Sequence, residues 1–429
     1  MTPVDSAGHH GPAEQVAWAW VDHLRSGGTT LWRDFRADHG ADHGAEPVSE
    51  PAPEPGGRQR GRLPGAAQLE LARLLVERAA DRPGPDADRR GALVERALER
   101  SGPGRGLLEL PLDLTGDVTG ASNARVVGAP ATDPADVPTQ ELVRVGVGLL
   151  VAELLRTGVA TDPAWGQADA DGGSPQPRRR RPFSRRFWVA GAPTTTAGVR
   201  AELADAGHLG GGRTPEVVLL ALPLERMLGE VWSGRVQRGA PVSWPAFVER
   251  WSRRDSLPPS ADLPALARSW AERVGAGRVH VVADQEPLHA TAQLLGIRLR
   301  PTSRPALPEL LPMPSAAVDL LRRVNQVLGV RVPEARQPGL RRVVAASSSS
   351  RSRMSPDVDE PRLVVPELHR SWAEAHSARV VEELRRGGYP VHGDLDLIAV
   401  RPGGPQRPRR SEVLDLVLDT VLRVVERQG

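Results

Sequence analysis

Residues 187–222 read FWVAGAPTTTAGVRAELADAGHLGGGRTPEVVLLAL, and this stretch decides the fold. It opens with the short apolar run Phe187–Ala190 and closes with the fully apolar run Val217–Leu222. A continuous apolar run of this kind is typical of a parallel strand that is buried on both faces. Val199–Ala206, between the two runs, has a helical pattern. The stretch therefore predicts a strand, a helix and a second strand, which is the repeating unit of an α/β layer.

The chain downstream continues this alternation. The run RVHVVA at Arg278–Ala283 predicts a further strand. Helical patterns are expected at Leu224–Val236, Trp244–Trp251, Leu263–Arg273, Ser315–Leu328, Glu367–Arg386 and Ser411–Arg427. The predicted fold class is therefore α/β over residues 186–427, with a parallel sheet flanked by helices.

The N-terminal half predicts a small α-rich domain over residues 13–156, which makes a two-domain protein. Apolar residues recur at helical spacing in Ala13–Phe35, Gly65–Ala80 and Thr139–Leu155. Three segments are rich in Pro, Gly, Ser, Asp or Arg, and such chain buries too little apolar surface to offset the entropy lost on ordering. We expect them to be flexible: residues 37–62 in the first domain, the Arg-rich linker 157–185, and residues 345–361 in the second domain.

Composition excludes several chemistries. The chain has 429 residues, 56 Lys plus Arg against 53 Asp plus Glu, and a net charge of +3. Every basic residue is Arg, so Schiff-base lysines and P-loop lysines are excluded; the absence of Cys excludes disulfides and thiolate ligands. A near-neutral chain has no strong positive field, and nucleic acid is not expected as a partner. No apolar run approaches the roughly 18 residues of a membrane span, and the N-terminus lacks a signal-peptide pattern, so the expected location is cytoplasmic.

The segment GAPTTTAG, which follows the first apolar run, lies where a phosphate-binding loop would sit. Small residues there let backbone N–H groups and a helix N-terminus approach an anion. The candidate ligand-binding residues are Gly191, Pro193, Thr194, Thr195, Thr196 and Gly198. An ordinary strand-to-helix turn is the alternative. We assign no catalytic residue and no metal ligand, because the closely spaced His39 and His43 lie in a Gly-rich repeat that is typical of a linker.

Several ordered passages resemble the actinobacterial sulfotransferase-like family of the P-loop superfamily. They lie at Val217–Phe247, Leu263–Val282 and Arg385–Ile398, and the resemblance covers about half of the chain, from Phe187 to Glu426. It implies a P-loop α/β fold and the donor 3′-phosphoadenosine 5′-phosphosulfate (PAPS). It also implies a loop lysine at the leaving oxygen, an arginine and a serine on the 3′-phosphate, and a base for the acceptor hydroxyl.

The sequence departs from this family at the positions to which the resemblance assigns sulfuryl transfer. Thr194 stands in place of the loop lysine, and Leu222 and Pro223 stand in place of an Arg-Asp pair. Only residues 199–216 separate the two motifs, so the family's intervening His-Glu segment is missing. Removing one preorganised contact to a transition state typically costs about 3 to 4 kcal/mol. We therefore expect a scaffold that has lost sulfuryl transfer, uses no cofactor, and binds an unidentified protein or a phosphorylated or sulfated small molecule.

Two alternatives stay open at this point. The chain could be an active PAPS-dependent sulfotransferase with relocated catalytic groups, in which an arginine replaces the lysine. It could instead be an interaction protein whose Arg-rich linkers, with Arg178–Arg181 foremost, engage an acidic partner.

Overall fold

The computed structural model describes residues 12–40, 63–80, 87–99, 108–112, 131–156, 186–299, 310–354, 363–401 and 403–426. The predicted linker 157–185, with its arginine run, lies outside these residues, as do residues 41–62 of the first flexible segment. The chain divides into two compact units. Unit 1 contains the described residues before Thr157 together with those from Leu414 onward, and unit 2 contains the described residues from 186 to Val413.

Eighteen elements matter for the description, fourteen helices and four strands. In chain order they are α1 (Pro12–Arg25), α2 (Trp32–Gly40), α3 (Ala66–Ala80), α4 (Ala87–Glu99), α5 (Thr139–Arg156), β1 (Phe187–Gly191), α6 (Pro193–Asp205), β2 (Glu216–Leu220), α7 (Leu224–Gln237), α8 (Trp244–Ser252), α9 (Leu263–Val274), β3 (Val279–Ala283), α10 (Pro287–Leu295), α11 (Ser315–Arg331), α12 (Gln337–Met354), α13 (Arg370–Arg386), β4 (Val391–Gly393) and α14 (Arg410–Glu426).

Unit 1 is helical in its described part, as the sequence predicts. Trp20 on α1 and Trp32 on α2 are buried, and their ring centroids lie 5.3 Å apart. Gly146 on α5 permits a close approach of α14, because a Cβ at this position would lie 2.6 Å from a methyl carbon of Val417. The unit is therefore held by packed aromatic rings and by a tight contact between two helices.

Unit 1 also buries a charged network. The carboxylate of Glu153 on α5 is 1% exposed and accepts hydrogen bonds from Arg96 on α4 at 2.7 Å and from Arg156 at 2.9 Å. A carboxylate removed from water needs such partners. The network therefore ties α4 to α5.

Unit 2 is built on a four-stranded parallel sheet in the order β1-β2-β3-β4. Val189 of β1 pairs with Val218 of β2, Val281 of β3 pairs with Val391 of β4, and β2 joins β3 between them. The residues of β2 after Glu216 are fully buried, which matches the apolar run that predicts this strand. The α/β class with a parallel sheet is confirmed.

Helices cover both faces of this sheet. The first face carries a cluster of buried apolar side chains from the strands and from α6 and α10, among them Val189, Val218, Leu203 and Leu295. Helix α9 packs on the opposite face, against β2 and β3. The described helices include none with the length and apolar character needed to cross a membrane.

The first flexible segment was expected to begin at residue 37, but helix α2 continues to Gly40. Two further predicted boundaries are corrected. The flexible segment 345–361 was expected to begin at Ala345, but helix α12 continues to Met354, with Ala345, Ser347 and Ser348 buried. Ser348 donates a hydrogen bond to the backbone oxygen of Val344 at 2.8 Å, so its hydroxyl is satisfied within the helix. Residues 355–361 lie outside the described residues.

The second correction concerns the C-terminal helix, which the sequence places in the α/β domain of 186–427. From Leu414 onward it belongs to unit 1. Arg78 on α3 donates a hydrogen bond to Asp419 on α14 at 2.8 Å. The sequence of an amphipathic helix shows which face is apolar but not which unit covers that face. The sequence therefore could not assign α14 to unit 1.

Candidate functional site

The segment expected to cradle a phosphate forms a tight turn followed by a helix. Strand β1 ends at Gly191, Ala192 alone links it to α6, and Pro193 occupies the first turn of the helix. Gly191 has a φ of 121°, and a Cβ there would lie 2.5 Å from the backbone oxygen of Leu220 on β2. Only glycine fits this close approach. The expected loop over 191–198 is thus replaced by one linking residue and the start of α6.

The other candidate residues lie on α6. Thr194, Thr195 and Thr196 are in its first turn, and Gly198 lies in its second, where a Cβ would meet open space. Thr196 is 6% exposed, and the hydroxyl oxygens of Thr194 and Thr196 are both shielded from solvent without a hydrogen-bond partner. The structure therefore brings the candidate residues together at one helix N-terminus.

This helix N-terminus is occupied by a carboxylate of the chain itself. Glu230 on α7 accepts a hydrogen bond from the backbone N–H of Thr195 at 2.8 Å and from its hydroxyl at 2.6 Å. Arg226, one turn earlier on α7, lies 3.3 Å from both the Glu230 carboxylate and the Thr195 hydroxyl. A helix N-terminus carries a partial positive charge and attracts an anion. Here that anion is Glu230.

The start of α7 holds a second internal carboxylate. Leu222 and Pro223, where the resemblance implies an Arg-Asp pair, precede α7, and Glu225 in its first turn is 5% exposed. Its carboxylate accepts the backbone N–H of Arg401 at 2.8 Å. Burial raises the pKa of Glu225, against its hydrogen bonds and the charge of nearby arginines. The segment where the resemblance implies an Arg-Asp pair is therefore followed, two residues later, by a carboxylate that holds the backbone at Arg401.

Arg200 does not supply the missing cation at this helix N-terminus. Its guanidinium donates a hydrogen bond to the backbone oxygen of Val189 and lies 4.9 Å from the ring centre of Trp188. It therefore covers β1.

A second polar cluster crosses the sheet, and the sequence analysis missed it. The ring nitrogens of His280 on β3 lie 3.2 Å from the Glu216 carboxylate on β2 and 3.2 Å from Nε2 of His392 on β4. Burial and the neighbouring His280 lower the pKa of His392. The available signal was a histidine inside the otherwise apolar run VHVVA; nothing in the sequence pointed to its partner 112 residues later.

An open cleft of about 220 Å³ reaches this cluster. It is lined by Glu216, Gly277, Arg278, His280, Leu294 and Leu295. Across the described residues, no three His, Asp or Glu side chains converge in a way that would hold a metal ion.

Comparisons with family models, with curated proteins and with solved structures found no significant match to this chain. The resemblance to sulfotransferase-like proteins therefore stays a prediction.

Proposed function

We propose that this chain is a non-catalytic binding or scaffold module whose α/β unit keeps a phosphate-binding position closed with its own carboxylate. The observation that carries the proposal is the contact of Glu230 with the backbone N–H and the hydroxyl of Thr195. The backbone N–H of Thr195, which could receive a phosphate oxygen, is already paired with this carboxylate.

The negative charge of Glu230 opposes the binding of a second anion at the same position. Two like unit charges about 4 Å apart repel by about 4 kcal/mol at an effective dielectric constant of about 20. A phosphate or phosphosulfate brought to the first turn of α6 would meet this repulsion from Glu230. It would also have to replace two hydrogen bonds that the carboxylate already makes. The chain has no lysine to supply the usual counter-charge, and the nearby Arg226 already pairs with Glu230 at 3.3 Å.

The test is a calorimetric titration of the purified full-length chain with adenosine 3′,5′-bisphosphate, the desulfated form of the PAPS donor. We expect no saturable heat at millimolar nucleotide. Saturable binding in the micromolar range would overturn the proposal, because a closed position leaves no room for the 5′-phosphate.

One observation favours a second candidate, a sulfotransferase that uses arginine where the family uses lysine. Arg226 places a guanidinium 3.3 Å from the Thr195 hydroxyl. This function requires Glu230 to leave the helix N-terminus. Transfer of labelled sulfate from PAPS to water or to a phenolic acceptor, lost in Arg226→Gln, would favour it over the scaffold.

A further inference from the structure

A row of three polar side chains joins three neighbouring strands of the sheet, and it is independent of the closed position on α6. Glu216 stands at the start of β2, His280 in β3 and His392 in β4. Each contact in the row is 3.2 Å between the hydrogen-bonding atoms, and the two imidazole centroids lie 5.3 Å apart. The row therefore crosses the sheet obliquely, because His280 pairs in register with Val218 and His392 with Val282, each two residues beyond the preceding member of the row.

The partners determine where the protons sit when both imidazoles are neutral. The carboxylate of Glu216 can only accept, so Nε2 of His280 donates to it. Nδ1 of His280 then accepts, and Nε2 of His392 donates to it. This single arrangement satisfies every contact in the row.

Strand β4 depends on few other interactions. It has three residues, pairs only with β3 among the described strands, and leaves Val391 39% exposed. Beyond its own register, the backbone N–H of Val281 donates to Pro390 and the N–H of Asp394 donates to Ala283. A short edge strand with this much exposure belongs to the least stable part of a sheet.

The hydrogen bonds of the row respond differently to one positive charge and to two. When His280 alone is charged, its two N–H groups can donate to Glu216 and to a neutral His392. A second proton makes His392 positive beside a positive His280, and its Nε2–H then faces another N–H. Burial and the charge of His280 lower the pKa of His392 for this reason.

The other charged groups near the row do not relieve this repulsion. Arg278 lies 3.9 Å from the Glu216 carboxylate and adds positive charge on that side. Helix α10 packs on β3 and carries one titratable side chain, the exposed His289. In the turn after β4, Asp394 accepts the N–H of Asp396, and Asp396 pairs with Arg385.

We propose that Glu216, His280 and His392 form a pH-sensitive latch, which holds β4 on the sheet while His392 is neutral and releases it when both imidazoles are charged. The sign follows from the lowered pKa of His392. Its contribution to strand pairing is complete above the ordinary histidine pKa of about 6.5 and is lost as the pH falls through the lowered value.

Hydrogen exchange of the full chain tests the latch. Protection factors, corrected for the intrinsic rate at each pH, are measured for peptides covering residues 387–398 between about pH 7.5 and about pH 5, which bracket the ordinary histidine pKa. We expect protection of β4 to fall at least tenfold in the wild type, while peptides from β2 keep theirs. An unchanged β4, or an equal fall in β2, would overturn the proposal.

Two variants and a control separate the latch from general acid sensitivity. His392→Gln keeps a donor but cannot charge, so β4 should hold constant protection across the same pH range. His280→Gln removes the neighbouring charge and should also abolish the pH dependence, which keeps the test valid if the first variant does not fold. His369→Gln, at a histidine that contacts Ser252, should behave as the wild type. A tenfold fall that persists in either row variant would refute the latch.

Discussion

Replacing Glu230 with alanine removes the carboxylate that closes the N-terminus of α6. The side chain is 14% exposed, so its hydrogen bonds to Thr195 are only partly replaced by water. A hydrogen bond to a charged group contributes about 1.5 to 3 kcal/mol, and a carboxylate at a helix N-terminus adds about 0.3 to 1 kcal/mol. Allowing for the partial exposure, we expect Glu230→Ala to destabilise α6 by about 2 to 3 kcal/mol.

The assay must report on α6 itself, because the chain has two compact units and a global melt mixes them. Hydrogen exchange of the slowest amides in residues 193–205 gives the local free energy of opening. A loss of about 2 kcal/mol corresponds to about 30-fold faster exchange. The matched control is Glu249→Ala on α8, where the carboxylate is 43% exposed and pairs with Arg253 one turn away. That pair is worth about 0.3 to 0.5 kcal/mol.

The same variants show whether the position still prefers an anion. In Glu230→Ala the first turn of α6 lacks its carboxylate, so inorganic sulfate should restore protection of α6 more than sodium chloride of equal ionic strength does. In the wild type sulfate should have no specific effect. If Glu230→Ala exchanges no faster than Glu249→Ala, the carboxylate does not hold the helix, and the reasoning that closes this site fails.

Two further pairs of substitutions test the packing of each unit, by hydrogen exchange of the slowest amides in that unit. Gly191→Ala should destabilise unit 2 by more than about 2 kcal/mol, because the residue has a positive φ and its Cβ would strike the neighbouring strand. Gly198→Ala should stabilise it by about 0.5 to 1 kcal/mol, and equal exchange rates in the two variants would refute the close approach. Arg96→Ala should lower the free energy of unfolding of unit 1 by about 2 kcal/mol, because its partner Glu153 is 1% exposed. Arg156→Ala, at a side chain that is 47% exposed, should lower it by under about 1 kcal/mol. A larger effect of Arg156→Ala would contradict the assigned network.

The parallel sheet was predictable because each of its central strands is apolar at all but one residue. The run ending at Leu222 and the run Arg278–Ala283 each correspond to an observed strand. Strand β4 left no such signal: Val391–Gly393 has three residues, with both ends exposed, and joins the sheet through pairing with β3. Local composition determines a buried strand, whereas an edge strand depends on a partner far along the chain.

In the candidate site, too, the sequence predicted the local features but not the contact with a distant residue. The sequence located the turn at Gly191 and the threonines after it, because small residues between a strand and a helix are a local pattern. It could not show that Glu230, 35 residues after Thr195, turns its carboxylate onto that helix. It also placed the start of α6 at Val199, since three threonines and a glycine are poor helix formers; Pro193 at the first turn and the carboxylate at the N-terminus offset that cost.

The position of Glu230 bears more on function than the absence of lysine does. A missing lysine removes one favourable contact, and Arg226 lies close enough to replace it. In the proposed function, the carboxylate on the backbone N–H of Thr195 takes the place of the ligand itself, and a cation elsewhere would not remove it. Binding of adenosine bisphosphate by Glu230→Gln but not by the wild type would mean that one side chain masks an intact nucleotide position. Binding by neither protein would mean that the surrounding contacts needed for the nucleotide are absent as well. The α/β unit would then bind its partner through another part of its surface.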